Sequence, residues 1–134
     1  MSAVRYEVGQ QLPPLTIDDV SADKMKLMAA ILRDPNPIHF DAAEVRALAL
    51  GDREVNQGPS NMSYLLNMVT RWSGGVATLR SVAVRFLGNV FAGDSVDCVG
   101  TVAAIDDDTG LVTLDVAARV GDRVVLQGSV VVAL

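Results

Sequence analysis

The sequence holds one cysteine, Cys98, so no disulfide can form within the chain. It holds one histidine, His39, and one cysteine with one histidine cannot assemble a zinc site. No apolar run is long enough to span a bilayer. The N-terminal Met1-Ser2-Ala3-Val4-Arg5-Tyr6-Glu7 has no signal-peptide apolar segment. These two absences predict a soluble cytoplasmic protein with no membrane partner. Eleven Lys and Arg are scattered along the chain without a basic run. Nothing therefore neutralises the phosphates of a polymer, which excludes nucleic acid as a partner. Gly-x-Ser-x-Gly elbows and phosphate loops are also missing. Aromatic residues are only 4% of the chain, so Val, Leu, Ala and Met must fill the core.

What is present fits one domain spanning residues 1–134. Half of the residues are apolar, enough to bury a core without metal or disulfide staples. The formal net charge is −5, yet two or three placed Arg side chains suffice to hold an anionic group. Val96 and Cys98 share one face of an alternating stretch and Asp97 takes the other, which predicts a buried core thiol.

Residues 1–20 read as an extended lead-in with Pro13-Pro14 before Leu15-Thr16-Ile17. Ser21 suits the N-cap of a helix reaching about Leu32, with Asp23 in its positively polarised first turn. Pro35 and Pro37 forbid its continuation. Asp41 can cap a short helix, Ala42–Leu50, ending at Gly51. From Val55 to Thr70 no residue is charged. Met62, Leu65, Leu66, Val69 and Trp72 recur at helical spacing, while Ser63, Tyr64 and Asn67 are polar but neutral. A surface helix would carry charges on its outer side. The segment about 59–72 is therefore a long, largely buried helix that begins just after Gly58, with Pro59 at its first position. Val76–Leu87, Ser95–Ile105, Leu111–Val120 and Arg123–Leu134 read as strands joined by short turns, an antiparallel meander in part. The fold class is α+β; periodicity does not narrow it further.

Chemistry can reside in Asp34-Pro35-Asn36-Pro37-Ile38-His39-Phe40-Asp41. Two prolines stiffen the loop, and Asn36 can bond to nearby backbone. A carboxylate and an imidazole held in fixed positions suit proton transfer, since both must reach the same water or substrate proton. Imidazole can give and take a proton near neutrality. Spacing alone favours a plainer reading, a helix stop followed by a turn, with His39 satisfied by a neighbour. Gly58 is likewise either a simple helix cap or a place where a substrate carbonyl approaches backbone closely.

The segment Asp34–Asp41 resembles the Asp-x-Asn-Pro-x-His-x-Asp signature of the MaoC-like family, which includes (R)-specific enoyl-CoA hydratases and (3R)-hydroxyacyl dehydratases. The fixed residues Asp34, Asn36, Pro37, His39 and Asp41 are all present. Val84–Asp94 is similar to the strand and turn found downstream in that family, and the order of elements matches over roughly residues 15–134. The resemblance implies a single hotdog domain, an antiparallel sheet wrapped around one long buried helix. It implies addition of water to, or its removal from, 2-enoyl thioesters, giving (3R)-3-hydroxyacyl products. Asp34 and His39 match the catalytic aspartate and histidine. Gly58 matches the glycine whose N–H binds the thioester carbonyl, at a helix N-terminus where unpaired N–H groups and the helix dipole favour negative charge. Asn36, Asn56, Gln57 and Arg85 are expected on the substrate. No metal and no redox cofactor is expected; coenzyme A or a carrier protein arrives as part of the substrate.

Two positions depart from the family pattern. Arg33 stands where a small residue, often Gly, precedes the aspartate. Asn56-Gln57-Gly58-Pro59 stands where Ala-His-Gly-Met or similar opens the helix, and because Pro59 has no N–H, Gly58 is the remaining donor. Both put the substrate class in question more than the fold. The resemblance implies a homodimer or higher oligomer. The Val55-Asn56 stretch is also similar to small MaoC-like subunits of actinobacterial steroid side-chain hydratases, which pair with a second MaoC-like chain. Two further readings follow: a subunit of a heteromeric dehydratase acting on carrier-protein or steroid-type thioesters, and a non-catalytic thioester-binding domain. Arg80 is expected to be solvated, and Asp106-Asp107-Asp108 to be a hairpin tip.

Overall fold

The computed structural model describes residues 6–134. Expectations for Met1–Arg5, the start of the lead-in, lie outside the described residues. Helix α1 is Ala22–Leu32, capped by Ser21, whose side chain accepts from the Lys24 N–H. Helix α2 is Ala42–Ala47, capped by Asp41. It stops short of the expected Leu50, because Leu48 leaves the helical region and Ala49 turns left-handed at φ 56°. Helix α3 is Gly58–Ser73. Gly58 is its first residue, which puts Pro59 second, and Gly74 ends it in the left-handed region at φ 99°.

Five strands form one antiparallel sheet: β1 Leu15–Ile17, β2 Leu79–Phe86, β3 Val96–Asp106, β4 Leu111–Val120 and β5 Arg123–Ala133. Their order is β1-β3-β4-β5-β2. The lead-in thus contributes a fifth strand, Leu15 opposite Cys98 and Ile17 opposite Val96. The segment Val76–Thr78, expected as strand, forms a 3-10 turn before β2. Helix α3 lies against all five strands. This is the hotdog arrangement of the α+β class.

Alternation decides what faces the helix. Val96, Cys98 and Val102 of β3 and Val112, Leu114, Val116 and Ala118 of β4 point inward and are buried. Leu65, Met68 and Val69 meet them from α3. The helical stripe is rotated from the one expected, since Met62, Leu66 and Trp72 only flank the core. Asn61, Leu65, Met68 and Val69 are the buried line. At Gly128 any Cβ would run into the Ala83 carbonyl, so β2 closes on β5 only because that residue is glycine. Burial pushes the Cys98 thiol up to about 12, with Asp97 adding to the shift, so it is an inert core group as expected. At the β3–β4 tip Asp106 accepts from the N–H groups of Asp108 and Thr109. The acidic triplet is a turn, and no metal cluster exists among the described residues.

Leu65 is fully buried between α3 and the sheet. Leu65→Ala should destabilise the domain by about 2–5 kcal/mol, read as a lower urea midpoint at unchanged m-value. A midpoint equal to that of the unmodified chain would contradict this account of the core.

Candidate active site

The Asp34–Asp41 loop is a run of side-chain caps. Arg33 ends α1 in the left-handed region, φ 51°, with its N–H on the Ala29 and Ala30 carbonyls. Glycine takes this conformation freely, whereas Arg pays about 1 kcal/mol or more. This is the physical reason for a small residue at the position, and Arg33 meets the same backbone demand. Asp34 Oδ1 then accepts from the Asn36 N–H at 3.0 Å. Asn36 Oδ1 accepts from the Ile38 N–H at 3.3 Å and caps a 3-10 turn, Pro37–His39. Asp41 Oδ1 accepts from the Ala43 N–H at 2.9 Å and caps α2. Each short polar side chain is spent on backbone two or three residues ahead, so the loop is locally determined.

The loop delivers two groups to each other. Asp34 Oδ2 lies 3.1 Å from His39 Nε2. His39 Nδ1 lies 2.7 Å from the Val55 carbonyl, which can only accept, so Nδ1 carries its proton. The Val55 N–H in turn donates to the Ile38 carbonyl at 2.9 Å. The imidazole is therefore clamped on its far side by backbone and presents Nε2 to the carboxylate. One proton shared between Nε2 and Oδ2 completes a hydrogen bond there. His39 is buried and the Asp34 side chain is partly open, which suits a pair that exchanges protons with a molecule arriving from one side.

Val55 also joins the loop to α3. It bridges Phe91, while the Asn56 N–H donates to the Val90 carbonyl at 2.7 Å. Asp94 holds this region by accepting from the Phe91 N–H and from Arg53. Two residues after Asn56, α3 begins. Gly58 heads it with an N–H that has no intrahelical acceptor, in the positive end of the dipole. Beside Gly58 stands the ring of Phe86, 3.1 Å from where a Cβ would be. Phe86 is 55% exposed and was not expected at the site. Its sequence signals are the family resemblance of Val84–Asp94 and strand alternation, which sends Val82, Val84 and Phe86 to one face of β2.

The remaining expected residues part ways. Asn56 is buried and its Nδ2 donates to Asn61 Oδ1 at 2.7 Å and Tyr64 Oη at 3.1 Å. Gln57 is 1% exposed and Nε2 donates to the Met25 carbonyl at 2.8 Å, bracing α3 against α1. Its Oε1 is sealed without a partner. Asn36 spends its carbonyl oxygen on the loop itself. Arg85 is not brought to the dyad: it lines a depression of about 820 Å³ on the sheet, with Asp115, Gln127 and Ser129. Strand alternation puts it on the opposite side of β2 from Phe86. Arg80 is exposed and bonds only nearby backbone, the carbonyls of Ala77 and Leu79.

A sequence model of the MaoC like domain matches residues 6–124. The chain belongs to the MaoC-like family. It is a hotdog domain of a family that includes hydratases and dehydratases. Among solved structures, the (R)-hydratase from A. caviae involved in PHA biosynthesis is 27% identical at a TM-score of 0.88. That match covers 98% of this chain and 99% of the other. R-hydratase PhaJ1 from Pseudomonas aeruginosa is 21% identical, TM-score 0.82, over 95% of this MaoC-like chain and 81% of its own. The ChsH1-ChsH2 complex from Mycobacterium tuberculosis contains a chain 24% identical, TM-score 0.83, over 100% of this chain and 99% of that one. No curated protein sequence matches. Among the described residues no helix is long and apolar enough to cross a membrane.

Proposed function

We propose that this MaoC-like domain is an (R)-specific hydratase and dehydratase of 2-enoyl thioesters. One observation carries the reading: Asp34 Oδ2 and His39 Nε2 meet at 3.1 Å in a loop whose histidine is oriented by the Val55 carbonyl. In hydration the pair takes a proton from water as its oxygen bonds to C3, and returns a proton to C2. Between these events negative charge collects on the thioester oxygen, where the Gly58 N–H donates to it. Removal of water is the same path reversed. The reaction needs an acid, a base and an oxyanion donor, all protein groups, so the domain uses no metal or redox cofactor. Coenzyme A is the preferred carrier of the acyl group. The A. caviae structure supports the reading, being described as an (R)-hydratase at nearly full mutual coverage.

The test is incubation of the purified chain with crotonyl-CoA and longer 2-enoyl-CoA esters. Absorbance of the conjugated thioester should fall, and chiral analysis should find the (3R)-hydroxy product. The (3S) product, or no turnover of any ester by the chain alone or mixed with another MaoC-like chain, would overturn the assignment.

A second copy of the chain completes the domain in this reading. Strand β2 is one of the two edges of the sheet, with Val82 and Phe86 exposed on it and Leu87 exposed just after it. An unprotected apolar edge invites strand pairing. The same strand ends at Phe86, against Gly58, so pairing there closes the carbonyl site from outside. Val82→Lys with Leu87→Lys should convert a dimer to monomer in sedimentation velocity and lower activity at least tenfold. A double variant that still sediments as a dimer would place the interface elsewhere. Activity gained only on mixing with a different MaoC-like chain would identify the heteromeric form.

A further inference from the structure

Next to the dyad lies a polar cluster that proton transfer does not use. Asn56, Asn61 and Tyr64 bond one another where the loop enters α3. Asn56 Nδ2 has two hydrogens and donates one to Asn61 Oδ1 and one to Tyr64 Oη. Three polar functions stay free of protein partners among the described residues: Asn56 Oδ1, Asn61 Nδ2 and the Tyr64 O–H. Asn56 is only 6% exposed and Asn61 only 5%. Free polar atoms in residues so deeply buried are normally either sealed, at a penalty, or opened to a narrow space. Gln57 Oε1 is the one sealed orphan among the described residues, so the Asn56, Asn61 and Tyr64 groups reach an opening. Two of the three free functions are donors, and none is charged.

Their position relative to the chemistry follows from helix geometry. Asn61 and Tyr64 lie three and six residues along α3 from Gly58, a rise of about 4.5 Å and about 9 Å. A thioester whose carbonyl sits on the Gly58 N–H passes C3 at the dyad within two or three bonds. In an acyl chain lying along α3, the atoms beyond C3 would run over a comparable length. An all-alkyl chain would leave the donors of Asn61 and Tyr64 desolvated and unpaired, which is unfavourable. A carboxylate would want a cation, and no cationic side chain takes part in the cluster.

We propose that Asn56, Asn61 and Tyr64 are specificity residues that read an uncharged oxygen, keto or hydroxyl, on the acyl chain beyond C3. The inference rests on the hydratase reading and narrows it to oxygen-bearing acyl thioesters. Neutral hydrogen bonds are lost one at a time on removing each donor, so the effect is a preference, not an absolute requirement.

The experiment is calorimetric binding of saturated thioesters, which have neither the double bond nor the 3-hydroxyl and do not react. Octanoyl-CoA is compared with its 5-, 6- and 7-oxo and hydroxy derivatives on the full chain. One oxygen position should bind about tenfold more tightly than octanoyl-CoA. Asn61→Leu and Tyr64→Phe should each remove most of that preference without weakening octanoyl-CoA, which no longer leaves a donor unpaired, with thermal unfolding recorded alongside. Equal binding of all the thioesters by the unmodified chain overturns the proposal and leaves the hydratase reading standing. An equal loss for octanoyl-CoA and its oxygenated forms in both variants assigns the cluster to the pantetheine amides and also overturns it. Binding of none of the thioesters overturns the thioester reading itself.

Discussion

Asp34→Asn should slow hydration of an enoyl-CoA by about 10²–10⁴-fold while the domain stays folded. The asparagine keeps an oxygen for the Asn36 N–H, so the Asx turn that shapes the loop survives. Its amide can still face His39 Nε2, so the ring keeps its place. What disappears is a group able to exchange a proton at that point. His39→Ala should lose a similar factor, but it also leaves the buried Val55 carbonyl unpaired, so its unfolding midpoint should fall as well. Because the two groups act as one unit, the double variant should be about as slow as either single variant. Steady-state kinetics with a folded-state check by circular dichroism reads all three. If either single variant keeps more than a third of the activity, the dyad is not the proton-transfer machinery.

The second large effect is expected at Gly58, where the reacting group is backbone. Gly58→Pro deletes the N–H at the first helical position, a place where helices accept proline. Gln57 is already extended, φ −66° and ψ 142°, as a residue before proline must be. Gly58→Ala is the matched control. It keeps the N–H and introduces the same Cβ, 3.1 Å from the Phe86 ring, in the same helical conformation that a following proline disfavours. Phe86 is exposed enough to swing aside. The alanine variant should therefore lose about tenfold or less in kcat, and the proline variant about 10²–10³-fold. The ratio of the two isolates the donor from the shared crowding. Equal kcat values would show that the oxyanion is stabilised elsewhere.

The structure also explains why the departures from the family pattern are tolerated. Arg33 occupies a left-handed position at modest strain. Gln57 turns away from solvent and braces α1 through the Met25 carbonyl, a structural task that asks nothing of a titrating side chain. Pro59 sits second in α3, where an N–H is not required by the helix. None of these residues disturbs the dyad. They bear instead on what surrounds the head of α3, where the Asn56 cluster lies.

The parts whose physics is local were legible in the sequence. Asp34, Asn36 and Asp41 each cap backbone within three residues, and Pro35 with Pro37 ends α1, so the loop's shape is written in eight consecutive residues. The charge-free stretch after Val55 announced a buried helix because charge at that position would have to be desolvated. Alternation in the four long strands marked Cys98 as core. The sequence did not reveal pairings between distant residues, because side-chain period fixes a face and not a neighbour. The clamp on His39 comes from the Val55 carbonyl, sixteen residues on and without any side-chain signal. The β1–β3 pairing joins Leu15 to Cys98 across the whole chain. Phe86 reaches Gly58, and Arg85 points away from it, only because β2 takes the sheet edge next to β5. Gln57 and Asn56 are adjacent in sequence, yet one braces α1 and the other bonds Asn61 and Tyr64 of α3, a separation made by how α3 docks against α1 and the sheet.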